Sequence, residues 1–188
     1  MKQTQVAHRY ADDTPRIYVT SLVDHETGHQ HGCWIDGDQG ADAITEKIRY
    51  MLAESGHPDA SQWAITDSRH FGDLKLAHHS SIDSVAEAAF GITEYGPVFA
   101  SLLVYLGGYK YLDDARRYIE KGYRGAFNSA EEYAKQRIEN LCRDLLNNLP
   151  DCIRLHIDYK GIAFDMMQNG DIFTLVCNDK VHVFDRRF

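Results

Sequence analysis

The run Asp24-His25-Glu26-Thr27-Gly28-His29-Gln30-His31-Gly32-Cys33 holds the side chains of this 188-residue chain best suited to chemistry. Imidazole, thiolate and carboxylate in one polar loop are the donors that zinc and other transition metals prefer. A metal-dependent enzyme built on His25 to Cys33 is therefore one reading. The spacing matches no zinc-ligand signature, and a polar histidine-rich loop accounts for the same residues. Asp36-Gly37-Asp38 begins like a calcium loop, but Gly40, Ala41 and Lys47 stand at its fifth, sixth and twelfth positions, where a ligand, a glycine and a glutamate are needed. His78-His79 is an isolated pair that reads as exposed turn residues. There is no G-x-S-x-G, no P-loop and no glycine-rich dinucleotide fingerprint, so acyl transfer, phosphoryl transfer and NAD chemistry lack their usual scaffolds. The expectation is a protein that is not an enzyme, with no metal site and no cofactor.

Charge is more informative. From Ala11 to Ala100 there are 15 Asp and Glu against 5 Lys and Arg, a net of -10, whereas Ser101 to Phe188 carries 13 of each, within a total of -8. A one-sided negative field repels nucleic acid and attracts basic protein surfaces. No Lys or Arg lies between Lys75 and Lys110. Asp83, Glu87 and Glu94 share one side of a helix there, because steps of four and seven residues return to nearly the same angle. Gly91 is a candidate break before Glu94. After Ser129, by contrast, Glu131 precedes Lys135 by four residues and Glu139 precedes Arg143 by four, so those charges pair and cancel. A solvated surface is the default for a charged helix face. For the stretch from Asp83 to Glu94 a binding role stands level with it.

The elements that must position these residues follow from periodicity. Pro15 leads into Arg16-Ile17-Tyr18-Val19-Thr20-Ser21-Leu22, a strand, and Cys33-Trp34-Ile35 is a second after a loop over Asp24 to Gly32. Ile44, Ile48, Met51 and Leu52 recur at helical spacing, predicting a helix from Ala41 to Glu54 that stops at Gly56-His57-Pro58. Gln62 to Thr66 and Asp73 to Leu76 read as further strands. Ile82, Val85, Ala86, Ala89 and Phe90 form one apolar helix face, and Pro97 opens a helix through Leu106. Leu112 to Lys121 is a short helix. Ser129 and Glu132 form a capping box for a long one, with Ala134, Ile138, Leu141, Cys142 and Leu145 inward. A break at Leu149-Pro150, a helix from Asp158 to Gln168, and a hairpin of Ile172 to Cys177 with Val181 to Phe184 about Asn178-Asp179 complete the chain.

The class is thus α+β. The organisation is a flexible extension (1–14), an N-terminal domain of antiparallel sheet and one helix (15–80), a central helical domain (81–108) and a C-terminal mixed α/β domain (109–188). Cys33, Cys142, Cys152 and Cys177 form no C-x-x-C pair, which fits reduced thiols. The longest apolar run, Val98 to Leu106, is too short to span a bilayer, and Met1 to Pro15 lacks the apolar core of a secretory signal. A cytoplasmic protein without membrane contact is expected.

Several segments, in order, resemble the ArdA-type antirestriction proteins of plasmids, transposons and phages. They are Pro15-Arg16-Ile17-Tyr18-Val19, His31-Gly32-Cys33-Trp34-Ile35-Asp36, and Trp63-Ala64-Ile65-Thr66-Asp67 with Phe71-Gly72. Near the C-terminus come Leu149-Pro150-Asp151 through His156-Ile157-Asp158-Tyr159, Ala163-Phe164-Asp165, Gly170-Asp171-Ile172-Phe173 and Val181-His182-Val183-Phe184. The resemblance implies an elongated homodimer of three-domain subunits whose carboxylates imitate the phosphates of B-form DNA. Such a protein blocks the DNA-binding groove of type I restriction and modification enzymes, its protein partner, and does not itself bind nucleic acid. On that reading Asp73, Asp83, Glu87 and Glu94 are phosphate mimics, continued by Asp113, Asp114 and Glu120. Helix-dipole stabilisation competes for Asp113 and Asp114, and local capping and turn roles explain Asp158, Asp165 and Asp171. Tyr123, Ala126, Phe127 and Tyr133 are the candidate dimer surface, with core packing as the alternative. The chain departs from the pattern in its modest net charge, its N-terminal extension and the extra His25 and His29. A general acidic inhibitor of another DNA-binding protein is a further reading.

Overall fold

Alternation of apolar and polar residues from Arg16 onward does build a strand, and the computed structural model, which describes residues 13–57 and 60–188, shows what it pairs with. β1 (Arg16–Ser21) runs into a short helix, α1 (Leu22–Glu26), and then β2 (Gly32–Asp36), α2 (Ala41–Ala53) and β3 (Trp63–Arg69). β1 is the centre of an antiparallel sheet ordered β2-β1-β3. Ile17, Val19 and Ile35 point to one face and are fully buried, as is Ile44 of α2, with Ile48 and Met51 buried beside them. α3 (Ile82–Tyr95), α4 (Pro97–Leu106) and α5 (Leu112–Arg117) follow. The α+β class is as the sequence predicts.

Contacts divide the chain into two compact units, Met1–Arg116 and Arg117–Phe188. The helices assigned to residues 81–108 lie within the first unit, where α3 packs on α2, on α4 and on the 3-10 turn Gly37–Gln39. Val85, Ala88, Ala89 and Ile92 are its buried face. Gly91 does not break α3. It is buried in mid-helix because a Cβ there would overlap the ring of Phe99 on α4. Its smallness sets how closely the two helices approach.

The second unit contains β4 (Tyr123–Phe127), α6 (Ala130–Leu141), α7 (Arg143–Asn147), α8 (Asp151–Arg154), α9 (Tyr159–Gln168), β5 (Ile172–Cys177) and β6 (Lys180–Asp185). Its antiparallel sheet is ordered β4-β6-β5. Tyr133, Ile172 and Val183 form a core flanked by Phe127, Met166, Met167 and Val181. Phe173 and Phe184 stack with ring centroids 5.0 Å apart. Asn178 and Asp179 both adopt positive φ, +50° and +57°, which is the geometry a two-residue hairpin needs even without an Asn-Gly pair.

Several sequence expectations need correction. Asp24 to Gly32 is not all loop, since α1 extends to Glu26 and buries Asp24. Asp73 to Leu76 is not a strand: Phe71 and Leu74 are buried as anchors of a turn, and the contact with β3 comes only further on, where the Ile65 amide donates to the His78 carbonyl at 2.9 Å. Leu112 to Lys121 changes character at Arg117, where α5 widens into a π-helical turn, Tyr118–Gly122. The long helix after Ser129 is interrupted at Cys142, and Leu141 and Leu145 face solvent rather than the core. Phe90 likewise turns outward. Residues 1–12 of the expected extension, and Pro58, lie outside the described residues.

Candidate functional site

The whole formal charge of -8 belongs to the first unit, which has 17 Asp and Glu against 9 Lys and Arg, while the second has 11 of each. Within that unit α3 presents the most ordered acidic face. Its inner side is occupied by Val85, Ala88, Ala89 and Ile92, so the helical period leaves Asp83, Glu87 and Glu94 outward, and all three are exposed. Eleven residues separate the first from the last, an axial distance of about 16 Å at 1.5 Å per residue.

Asp38, which the spacing offered only as part of an incomplete calcium loop, joins this face from the 3-10 turn. It lines the same cleft as Asp83, Glu87 and Arg116, a concavity of about 410 Å³, and its Oδ2 accepts a hydrogen bond from Thr93 Oγ1 at 3.1 Å. The counter-charge missing from the local sequence also arrives through the fold, because Arg116 Nη2 on α5 lies 3.5 Å from Glu87 Oε2. Arg116 is brought to α3 by the return of α5, and Asp38 by the packing of the 3-10 turn on α3.

The other expected phosphate mimics are more scattered. Asp73 is exposed in the turn after Phe71. Asp113 is exposed and Asp114 half-buried in the first turn of α5, where their charge also favours the positive end of the helix dipole. Glu120 is exposed in the π-helical turn of the second unit.

The histidine-rich loop is tied to the end of α2. His31 Nε2 donates to the Met51 carbonyl at 2.6 Å, a second donor to an acceptor in the last turn of α2 that also receives the Glu54 amide at 3.2 Å. Asp24, buried, accepts a 2.7 Å hydrogen bond from Ser55 Oγ, and His57 Nε2 stands 3.7 Å from its other oxygen. Ser21 Oγ meets the same carboxylate short of full hydrogen-bond geometry. These hydroxyls, Ser21 and then Ser55, hold the Asp24 carboxyl below its ordinary range despite burial. His29 contacts the His57 ring edge-on and lies 3.3 Å from Thr27 Oγ1. Burial raises the Cys33 thiol, which disfavours a thiolate ligand. Among the described residues no three or more His, Cys, Asp and Glu side chains gather to hold a metal ion.

In the second unit Tyr133 is consumed by the core and Phe127 packs edge-on against it at 5.2 Å. Tyr123 hydrogen-bonds His182 Nδ1 through its hydroxyl at 2.8 Å. Ala126 is the exposed member of that group. Larger apolar exposure lies elsewhere in the unit, at Leu141 (70%), Leu145 (64%) and Leu155 (77%). Sequence periodicity missed it by treating α6 and α7 as one continuous helix.

Among the described residues no helix is long and apolar enough to cross a membrane. A family model described as "Antirestriction protein (ArdA)" matches residues 17–177. Comparison with curated proteins gives no match.

Proposed function

The chain belongs to the ArdA antirestriction protein family, and on that premise we propose that it acts by imitating DNA, competing for the DNA-binding groove of type I restriction-modification enzymes. The observation that carries this reading is the confinement of all net charge to one unit, with α3 displaying carboxylates along its outer side. Duplex DNA carries one charge per ~1.7 Å of axis, and neutralising those charges dominates its affinity for protein. A rigid helix that holds carboxylates outward offers Lys and Arg side chains the same attraction without a nucleic acid. Inhibition then needs no catalysis, metal or cofactor.

The density of the imitation is limited. Asp83, Glu87 and Glu94 place three charges over about 16 Å, whereas one DNA strand places a phosphate every ~3.4 Å of axis. Asp73, Asp113 and Asp114 extend the acidic surface in the first unit, and Glu120 adds to the second. Charge also bears on self-association: two first units repel, while the neutral second unit does not. A homodimer is therefore proposed to form through the second unit. Leu141, Leu145 and Leu155 are the strongest contributors, beside Ala126 and the partly exposed Tyr123 and Phe127.

The direct experiment is competition. Purified protein should displace labelled duplex DNA from a type I enzyme at low salt, and the displacement should weaken as salt rises. If DNA binding were untouched at low salt across several such enzymes, the reading would fail.

A further inference from the structure

Phe90 stands on the acidic side of α3, seven residues after Asp83 and four before Glu94, and it is 52% exposed. The inner face of the helix is already filled, so this ring is not a core residue. It lines the 410 Å³ cleft together with Ala86, Asp38, Asp83, Glu87 and Arg116. Charge imitation alone gives a large apolar ring no task in the middle of a carboxylate stripe.

An arginine side chain would use every part of this surface. Its guanidinium stacks on an aromatic face, its carbon stem packs on apolar surface, and its N–H donors match carboxylate oxygens. The cleft already receives one guanidinium, that of the chain's own Arg116, 3.5 Å from Glu87. A second copy of the chain is the wrong occupant, because it would set acidic face against acidic face. Basic protein surface is the right one by charge.

We propose that the α3 face formed by Asp83, Glu87, Phe90 and Glu94 is an arginine receptor, in which the Phe90 ring stacks a guanidinium from the partner's DNA-binding channel while the flanking carboxylates hydrogen-bond it. This rests on the reading of the chain as a competitor for that channel. It adds a salt-insensitive contact to a stripe whose charge density falls short of DNA.

The test is competition against labelled duplex DNA on a type I enzyme over a salt series, with wild type, Phe90→Ala, Phe90→Leu and Asp83→Asn. Phe90→Ala should weaken competition about tenfold at every salt concentration, leaving the salt slope unchanged, as expected for loss of a partly desolvated cation–π contact. Asp83→Asn should instead lower the slope. Phe90→Leu, which keeps apolar bulk without the ring face, should also weaken competition. Thermal unfolding should show all three variants folded, since both altered side chains are exposed. If wild type competes and Phe90→Ala stays within about twofold of it at every salt concentration, the receptor is overturned and DNA imitation stands. Full activity of Phe90→Leu would overturn the arginine stack. If wild type fails to compete at low salt, receptor and DNA imitation fall together.

Discussion

Arg116 neutralises Glu87 across 3.5 Å, although 29 positions separate them and no basic residue lies between Lys75 and Lys110. The middle carboxylate of the α3 stripe is thus the one with an internal counter-ion. Asp83 and Glu94 make no such ion pair among the described residues. Exposed pairs of this kind contribute at most about 1 kcal/mol to folding, so the pair bears more on the field than on stability.

Glu87→Gln should therefore reduce enzyme binding less than Asp83→Asn or Glu94→Gln, and Arg116→Gln should strengthen it by a few-fold at low salt, on the order of one surface charge. A double-mutant cycle measured by DNA competition checks this. Glu87→Gln should weaken binding more in the Arg116→Gln background than in the wild type. Additivity of the two substitutions would show that Arg116 does not screen Glu87.

Gly91→Ala should destabilise the first unit, against the usual preference of helices for alanine. The propensity gain is about 1 kcal/mol. Overpacking a close helix contact costs about 1–3 kcal/mol, and here the added methyl would enter the Phe99 ring. Urea unfolding of the variant should show a lower midpoint, and Phe99→Leu in the same background should recover part of the loss by freeing space.

How much could be read in advance depended on how local the cause was. The capping box was legible because its partners are three residues apart: Ser129 Oγ accepts from the Glu132 amide at 3.1 Å. The reciprocal bond shifts by one residue, with Glu132 Oε2 accepting from the Asn128 amide at 2.7 Å. Ile44, Ile48 and Met51 were legible as a core face for the same reason. Phe90 departs from the apolar face its character predicts because α3 has smaller residues enough to fill its inner side. The place of Asp38 and Arg116 beside α3 is not legible in the sequence, because they reach it from the 3-10 turn and from α5, which only the tertiary fold brings near. The histidines of the loop suggested ligands by type, whereas their roles are set by where α2 ends: His31 binds Met51 O, and His57 follows Ser55 toward Asp24.

Leu155→Glu should convert the proposed dimer to monomers. Leu155 is 77% exposed, so the substitution removes little core packing and the melting temperature of the second unit should hardly change. Sedimentation velocity of wild type and variant at equal concentration reads the outcome. Leu141→Glu should act in the same direction, while Tyr133→Ala should unfold the unit by emptying its core. A wild type that sediments as a monomer would remove the assignment of this surface.

Acidification should loosen the second unit through His182. Burial lowers the proton affinity of this imidazole, opposed by a hydrogen bond with the Cys177 backbone. Its Nδ1 is engaged with the Tyr123 hydroxyl, 2.8 Å away, in the link between β4 and β6. Because the folded group binds its proton less readily than the unfolded one, the unfolded state takes up more protons as pH falls below about 6.5. Stability is therefore complete above that pH and declines as pH drops toward the lowered folded value. The melting temperature of the wild type should fall between pH 7.5 and 5.5, and His182→Gln should flatten that dependence at some cost in stability at pH 7.5. Asp24 works in a separate window: its carboxyl is held low in the folded first unit, so its contribution persists above the ordinary carboxylate range and is lost only at much lower pH. An unchanged pH profile in His182→Gln would assign the acid sensitivity to other groups.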